Sequence, residues 1–293
     1  MIGDTRPTLA QIAAAVPDSL GSHGPVVARV RRVLDEPHSS VDRVAEAISS
    51  DVDLTLRLIR CANSSWHGSR APVETLSEAV AIIGSEQVYA MVVATNIVHH
   101  FAGIPQDFVS MKSFWRHSLA TALAAGGISR LRRLPNAENH FLAGLLHDLG
   151  RLVLFQHFPA LAQQILRTHQ ELNSHASGGR ITLQRAELAV LGFDHQAIGQ
   201  GLLHKWGFLP ALATAAGYHH NPALAPSHRM EASVVHVGDH LVNAMRVGTS
   251  GEPRVPPLSQ PAWDKLGLEL GDLKCLMEEV DRNMEHAESL LLP

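Results

Sequence analysis

A histidine and an aspartate stand side by side at the end of an apolar run in this sequence. The run is Phe141-Leu-Ala-Gly-Leu-Leu, and it is followed by His147, Asp148, Leu149 and Gly150. Neighbouring side chains on a straight helix point about 100° apart, so the pair can meet one ion only where the backbone changes direction. Gly150 permits that change. Because imidazole and carboxylate both bind divalent cations, the motif predicts a metal site.

Other candidate ligands stand in segments far from this motif. They are His117, His195, the neighbouring pair His219 and His220, and Asp239. Asp239 has Val235 at i−4 and Val242 at i+3, a spacing that predicts a carboxylate pointing into the apolar interior. A buried carboxylate is costly unless it is paired or binds a metal. We therefore expect distant segments to gather these groups around a common cation.

This donor set favours particular ions and a particular chemistry. Imidazole and carboxylate without thiolate suit a divalent ion such as iron or manganese, with zinc or magnesium as alternatives, better than calcium. Three or four protein ligands leave coordination positions for water and a phosphate oxygen, as metal-assisted phosphoester hydrolysis requires. Asp148 and Arg151 are then the candidate catalytic residues, since the planar guanidinium of Arg151 can hold a phosphate.

Each of these residues also has a structural interpretation. A lone histidine is often a satisfied core residue, and His219 with His220 could form a solvated helix end favoured by the helix dipole. Arg151 could be only a C-terminal helix charge, while His236 and His240 could lie behind the ligands or on the surface. Five further histidines lie in or beside predicted loops and are expected to face solvent: His140, His157, His169, His175 and His228.

The elements that must position these residues are helices. Helical periodicity recurs from about residue 25 to the end of the chain, and strand-like alternation is nearly absent. The sequence therefore predicts an all-α fold, a multi-helix core with an N-terminal helical layer. Ser39 with Asp42, and Thr75 with Glu78, resemble capping boxes that open helices. Gly84 stands where a left-handed C-cap is expected.

Loops divide the chain into three predicted parts. The loop at residues 103–107 ends an N-terminal helical subdomain, residues 1–110, and a metal-pocket subdomain follows at 111–246. Residues 247–293 comprise a linker rich in Pro and Gly, Gly248–Pro261, and a C-terminal packing helix. The apolar residues of that helix stand at helical spacing: Leu273, Leu276, Met277, Val280 and Met284.

Composition excludes several classes of protein. Of the 293 residues, 45% are apolar and 18% charged, which is typical of a folded chain with its own core. A net charge of −4 provides no overall field for nucleic acid or an anionic membrane. Cys61 and Cys275 are far apart, which indicates a reducing cytoplasm rather than a disulfide framework. Neither a signal peptide nor an apolar run of roughly 18 residues is recognised, so we expect a cytoplasmic protein without a membrane span.

Several segments together resemble one known family. They are Asp51–Ser64, Leu76–Gly84, Phe114–Ala122, Gly144–Arg151 and His219–Pro222. In order and spacing, over roughly residues 20–246, they are similar to the HDOD family. That resemblance implies a bacterial signalling module related to HD-type metal-dependent phosphohydrolases and to HD-GYP cyclic-di-GMP phosphodiesterases. Most members of the family have no established catalytic activity.

The resemblance also implies roles for individual residues. The histidine, the histidine–aspartate pair and the final aspartate of the HD pattern fall on His117, His147, Asp148 and Asp239. The histidines that complete a two-metal site in HD-GYP relatives correspond to His195, His219 and His220.

Three departures from the pattern disfavour hydrolysis of cyclic di-GMP. Arg151 replaces the lysine that follows the histidine–aspartate pair in active phosphodiesterases. Gly-Tyr-Pro does not follow His219 and His220, and Ser113 stands where a bridging glutamate is expected.

Three functional hypotheses follow from these observations. The first is a regulatory module that retains metal and binds a phosphorylated small molecule, a nucleotide or signalling proteins. The second is an active phosphohydrolase in which metal activates water and Arg151 steadies the phosphate. The third is a structural interaction domain with a vestigial pocket, since motifs alone do not separate binding from turnover.

Overall fold

The structure is a computed structural model that describes residues 6–16, 25–63, 72–101, 109–174 and 181–291. Within these ranges every regular element is a helix and no strand occurs, so the prediction of an all-α fold is confirmed. None of the described helices is by itself long and apolar enough to cross a membrane. The helices Leu76–Ile83 and Ser85–Val98 would be long and apolar enough only if they are taken together, and the chain bends by 105° between them.

Six helices form the N-terminal part of the described chain. They are α1 (Leu9–Ala15), α2 (Pro25–Leu34), α3 (Val41–Ile48), α4 (Val52–Ala62), α5 (Leu76–Ile83) and α6 (Ser85–His100). Thr75 and Glu78 form the predicted capping box at the start of α5. The predicted cap of α3 was wrong by one residue, because the hydroxyl of Ser40, rather than Ser39, accepts the hydrogen bond from the Arg43 amide. The predicted boundary loop at 103–107 lies outside the described residues.

Eight helices form the part of the described chain in which the candidate ligands lie, within helices or at their ends. They are α7 (Met111–Leu131), α8 (Ala137–Leu146), α9 (Leu149–His157), α10 (Pro159–Ser174), α11 (Leu183–Leu191), α12 (His195–Lys205), α13 (Pro210–Tyr218) and α14 (Arg229–Met245). Most of α7 is buried, because α8 and α14 pack along it. Gly144 allows the approach of α8, since a Cβ there would lie 2.7 Å from the Thr121 carbonyl oxygen.

The segment 248–259, which the sequence suggests is a linker, packs against the helices instead of leaving them. The Thr249 amide donates to the Ser113 carbonyl of α7, and the Glu252 carboxylate accepts from the Leu183 amide at the start of α11. At its other end, the Ser259 amide donates to Nε2 of His236 on α14. This segment therefore connects α7 and α14, which bear candidate ligands, with the start of α11.

Two further helices follow, α15 (Gln260–Leu266) and α16 (Leu270–Leu291). Helix α16 packs along α7, where Leu276 is buried and a Cβ at Gly127 would lie 2.9 Å from the Leu276 side chain. Arg130 of α7 also pairs with Glu279 of α16. Met277, predicted in the apolar stripe, is exposed, so the buried face of α16 is narrower than expected.

Candidate metal centre

The histidine–aspartate pair lies at the corner between α8 and α9. His147 directly follows the last residue of α8, and Asp148 has non-helical torsion angles, φ −97° and ψ 15°. The change of backbone direction expected for this pair is therefore present. Nδ1 of His147 donates to the Gly144 carbonyl at 2.7 Å, which leaves Nε2 directed at the other site residues. A Cβ at Gly150 would lie 2.1 Å from the His195 carbonyl oxygen, so glycine lets α12 approach this corner.

One group of site residues joins α7, the corner and α14. Nε2 of His117 lies 3.1 Å from Oδ1 of Asp239 and 3.8 Å from Oδ2 of Asp148. Nε2 of His147 lies 3.1 Å from Oδ2 of Asp148 and 3.6 Å from Oδ1 of Asp239. Two imidazoles and two carboxylates, predicted from three distant segments, thus meet within one buried volume.

A second group comes from α12 and the end of α13. Nε2 of His195 lies 3.1 Å from Oδ1 of Asp148 and 3.3 Å from Nε2 of His219. His219 donates from Nδ1 to the Ala216 carbonyl, so its Nε2 also faces the site. His195, His219 and His220 each offer a ligand atom, and these atoms lie within 4.8 Å of one another. Asp148 presents one oxygen to each group and therefore connects them.

Several buried polar atoms of this site have no hydrogen-bond partner among the described residues. They are both ring nitrogens of His117, Nε2 of His147, Oδ1 of Asp148 and Nε2 of His220. The short contacts given above do not have hydrogen-bond geometry at these atoms. Buried polar groups are normally satisfied, and unsatisfied ones are costly. Nitrogen and oxygen lone pairs aimed at a common volume fit a divalent cation.

Charges in the first group are strongly coupled. Burial alone would lower the pKa of His147, but Asp148 and Asp239 outweigh it and raise that pKa to about 10. Burial opposes ionisation of Asp148, yet Arg151 and His147 hold its pKa well below the usual range. Without an ion, the carboxylates stay ionised because the imidazole of His147 beside them is protonated. A bound divalent cation would balance the same negative charge.

The second group contains imidazoles with opposite tendencies. Burial and the charge of Arg151 lower the pKa of His195, but Glu187 and Asp148 overcome them and raise it to about 9. Burial and neighbouring imidazoles lower the pKa of His219 to about 3. A neutral imidazole beside a protonated one leaves a nitrogen lone pair free to bind a metal ion.

Glu187 is an important residue of the site that the sequence reasoning missed. Its carboxylate accepts from Nδ1 of His195 at 2.5 Å, from the His195 amide at 3.0 Å and from Nε of Arg151 at 3.0 Å. These contacts orient the His195 ring so that Nε2 faces Asp148. One signal could have identified it, because Glu187 stands on the same face of α11 as Leu183 and Leu191, at i−4 and i+4.

Arg151 lies beside Asp148, and its guanidinium is buried. Nη1 donates to the Ser250 hydroxyl at 2.8 Å and lies 3.5 Å from Oδ2 of Asp148, while Nε donates to Glu187. Only Nη2 has no hydrogen-bond partner in the described part of the chain. Arg151 is therefore part of the charged interior rather than a solvated helix end.

The other histidines divide into buried and exposed residues. His140 and His169 are buried, so the prediction that they face solvent was wrong; the ring of His140 contacts the Ser129 hydroxyl and that of His169 donates to the Ile181 carbonyl. His157 is half-buried, His228 is exposed as predicted, and His175 lies outside the described residues.

His236 and His240 connect the site to segment 248–259. His236 is buried, and its Nδ1 donates to the His219 carbonyl at 2.6 Å while its Nε2 accepts from the Ser259 amide. His240 is half-buried and donates from Nδ1 to the Pro256 carbonyl. Thus His236 lies behind the candidate ligands, one of the two positions that the sequence left open.

The fold and the site together define an all-helical protein with a buried histidine–aspartate centre. The HDOD domain model matches residues 20–222, and the chain belongs to the HDOD domain family. A protein of Treponema pallidum (strain Nichols), described as uncharacterised, is 21% identical over 198 residues. That match covers 67% of this chain, which spans only 37% of the length of this relative.

Solved structures share the fold at low sequence identity. An HDOD domain protein of unknown function from Geobacter sulfurreducens has a TM-score of 0.73 and 24% identity, covering 99% of this chain and 95% of its own. A candidate signal transduction protein of Marinobacter aquaeolei VT8 has a TM-score of 0.71 and 21% identity, covering 99% and 67%. A candidate phosphohydrolase of Shewanella amazonensis SB2B has a TM-score of 0.69 and 22% identity, covering 98% and 100%. These likenesses establish the fold.

Proposed function

We propose that this chain is a regulatory HDOD module that binds one or two divalent metal ions and, through them, a phosphorylated ligand in bacterial signal transduction. The observation that carries the proposal is the convergence of seven side chains: His117, His147, Asp148, His195, His219, His220 and Asp239. Four of them, His117, His147, Asp148 and His220, have buried polar atoms without a hydrogen-bond partner among the described residues. The name of the Marinobacter relative, a candidate signal transduction protein, agrees with this role.

The donor set favours iron or manganese, with zinc or magnesium as alternatives. Imidazoles outnumber carboxylates, and neither Cys61 on α4 nor Cys275 on α16 belongs to the centre, so a calcium cage of oxygen ligands and a thiolate site both fit poorly. Asp148, with one oxygen facing each group, suits two ions, since a shared carboxylate can span ions about 3.5–4 Å apart. A bound divalent cation would supply Lewis acidity, which neutralises phosphate charge and lowers the pKa of water.

Elemental analysis of protein purified without chelator tests this proposal. We expect at least one first-row metal ion per chain, lost in His147→Ala and in Asp148→Ala because each removes a ligand. His204→Ala is the matched control, since His204 is an exposed histidine of α12 outside the centre, and it should keep the metal. Protein that neither retains nor takes up a divalent ion would contradict the proposal and favour a structural interaction domain with a vestigial pocket.

The position of Asp148 favours a second function, hydrolysis of a nucleotide or another phosphoester. Its carboxylate lies between the two groups, where one side chain can serve both ions of a hydrolytic centre. In this proposal Asp148 and Arg151 are the catalytic residues, and Nη2 of Arg151 donates to a phosphate oxygen. The Shewanella relative is named a candidate phosphohydrolase.

Release of phosphate from a nucleotide panel separates binding from turnover. Metal-dependent release that is lost in His147→Ala and Asp148→Ala would support hydrolysis. A metal-loaded protein that releases no phosphate would contradict hydrolysis of those substrates and leave the regulatory proposal standing.

A further inference from the structure

A cavity of about 480 Å³ lies next to the second group of the candidate metal centre. It is bounded by the start of α11, the residues that follow α13, and the end of segment 248–259. His220 contributes to its wall, so the cavity reaches one of the proposed metal ligands. Its volume is within the roughly 300–1,000 Å³ of small-molecule sites.

His220 is unlike the other six proposed ligands in its accessibility. Those six residues are buried, with at most 4% of their surface exposed, whereas His220 is half-buried. Its Nε2 is itself buried and has no hydrogen-bond partner among the described residues. Because the rest of the ring is half-buried and lines the cavity, the cavity gives a ligand a route toward the second group.

The walls of this cavity combine a cation with apolar surface. Arg185 is exposed and lines the cavity, and no carboxylate in the described part of the chain forms an ion pair with it. Asn221 also lines the cavity with its polar side chain. Pro256, Pro257 and Leu258 supply apolar surface. A guanidinium without an ion-pair partner among the described residues, beside apolar surface, suits a phosphate attached to an organic group.

We propose that this cavity admits an organic phosphate to the metal centre, with Arg185 binding the phosphate and Leu258 contacting the organic group. The inference rests on the proposed function, because it requires metal in the centre. Arg151 cannot recognise a ligand at the surface, since its guanidinium is buried behind Asp148. Arg185 performs that recognition at the opening, and it specifies an anionic ligand small enough for about 480 Å³.

Phosphorus NMR relaxation of small phosphates on Mn²⁺-loaded protein tests this placement. Bound Mn²⁺ is paramagnetic and accelerates the relaxation of a phosphorus nucleus only at short range. Mn²⁺ binding itself is measured first, from the signal of free Mn²⁺ in electron paramagnetic resonance. We expect phenyl phosphate to show accelerated relaxation, and Arg185→Gln to weaken its binding by at least about tenfold while Mn²⁺ binding stays unchanged.

Two further variants make the test specific. Arg167→Gln removes an exposed arginine of α10 that does not line the cavity, and it should leave phenyl phosphate binding unchanged. Leu258→Gln should weaken phenyl phosphate by about threefold but leave inorganic phosphate unaffected, because only the former presents an apolar group to that residue.

The outcomes distinguish this inference from the proposed function. Failure of the wild-type protein to bind Mn²⁺ would overturn the proposed function and the inference together. Bound Mn²⁺ without accelerated relaxation of any phosphate would overturn the access route and the phosphorylated ligand of the proposed function, and would leave only metal binding standing. Unchanged binding of phenyl phosphate in Arg185→Gln would overturn the role of Arg185. An equal loss of phenyl phosphate binding in Arg167→Gln would overturn it as well, because the effect would then come from general surface charge.

Discussion

Replacing Glu187 by glutamine should disturb the second metal group while leaving the first intact. The change preserves size but removes the negative charge that Arg151 and His195 share. A carboxylate accepts at both oxygens, whereas an amide accepts at one and donates at the other. In either orientation of the glutamine, its NH₂ group therefore faces a buried N–H of His195 or Arg151, and at least one donor loses its acceptor.

The magnitude follows from three buried hydrogen bonds to one carboxylate. Hydrogen bonds to charged groups contribute about 1.5–3 kcal/mol each, and breaking a buried ion pair costs about 3–5 kcal/mol. We therefore expect Glu187→Gln to lower the free energy of unfolding of the ion-free protein by about 3 kcal/mol. Since Glu187 also orients the ring of His195, metal affinity in the second group should fall by about 10- to 100-fold.

Chemical denaturation in chelator measures the loss of stability, and calorimetric titration with Mn²⁺ measures the loss of affinity. Glu171→Gln is the matched control, because Glu171 is an exposed acid on the neighbouring helix α10. It should change the free energy of unfolding by less than about 0.5 kcal/mol. Wild-type stability together with wild-type Mn²⁺ affinity in Glu187→Gln would refute the assigned hydrogen-bond network and its orienting role.

Three other predictions test packing, burial and proton competition. Gly150→Ala should destabilise the protein by about 3 kcal/mol, because its Cβ would lie 2.1 Å from the His195 carbonyl oxygen, whereas Gly201→Ala, with nothing within 4 Å, should stabilise it by up to about 1 kcal/mol. Equal effects in urea denaturation would contradict the close approach of α9 and α12. Burial lowers the pKa of His140, so its contribution to stability is complete above about pH 6.5 and falls by on the order of 1 kcal/mol per pH unit below it. His140→Gln should lack this pH-dependent contribution to stability. If the free energy of unfolding falls equally steeply in the wild type and in His140→Gln between about pH 7.5 and 5.5, burial of a neutral ring is contradicted. Because the pKa values of His147 and His195 are raised to about 10 and about 9 in ion-free protein, metal must displace their protons, and affinity should rise with pH from neutrality to about 9. Calorimetry in buffers of different ionisation enthalpy measures the released protons, and pH-independent affinity without release would exclude ligation by these imidazoles.

Local patterns predicted much of the fold because helices are specified by neighbouring residues. Periodicity identified the helices that bear the site, and Thr75 with Glu78 form the predicted capping box. The errors occur where burial depends on elements far away in the chain. His140 and His169 lie beside loops in the sequence, yet other segments cover them. Periodicity within one helix carries no information about which distant surface will pack over its end.

The sequence by itself determined that the protein is helical and that it holds a histidine–aspartate pair at a helix end. Only the tertiary structure decided that Asp148 lies between two imidazole groups and that Glu187 joins His195 to Arg151. Helical periodicity relates residues three or four positions apart, whereas Arg151 and Glu187 are 36 positions apart and Asp148 and His195 are 47 positions apart. Their distances are fixed by how closely whole helices approach, which at Gly150 depends on the absence of a single side chain.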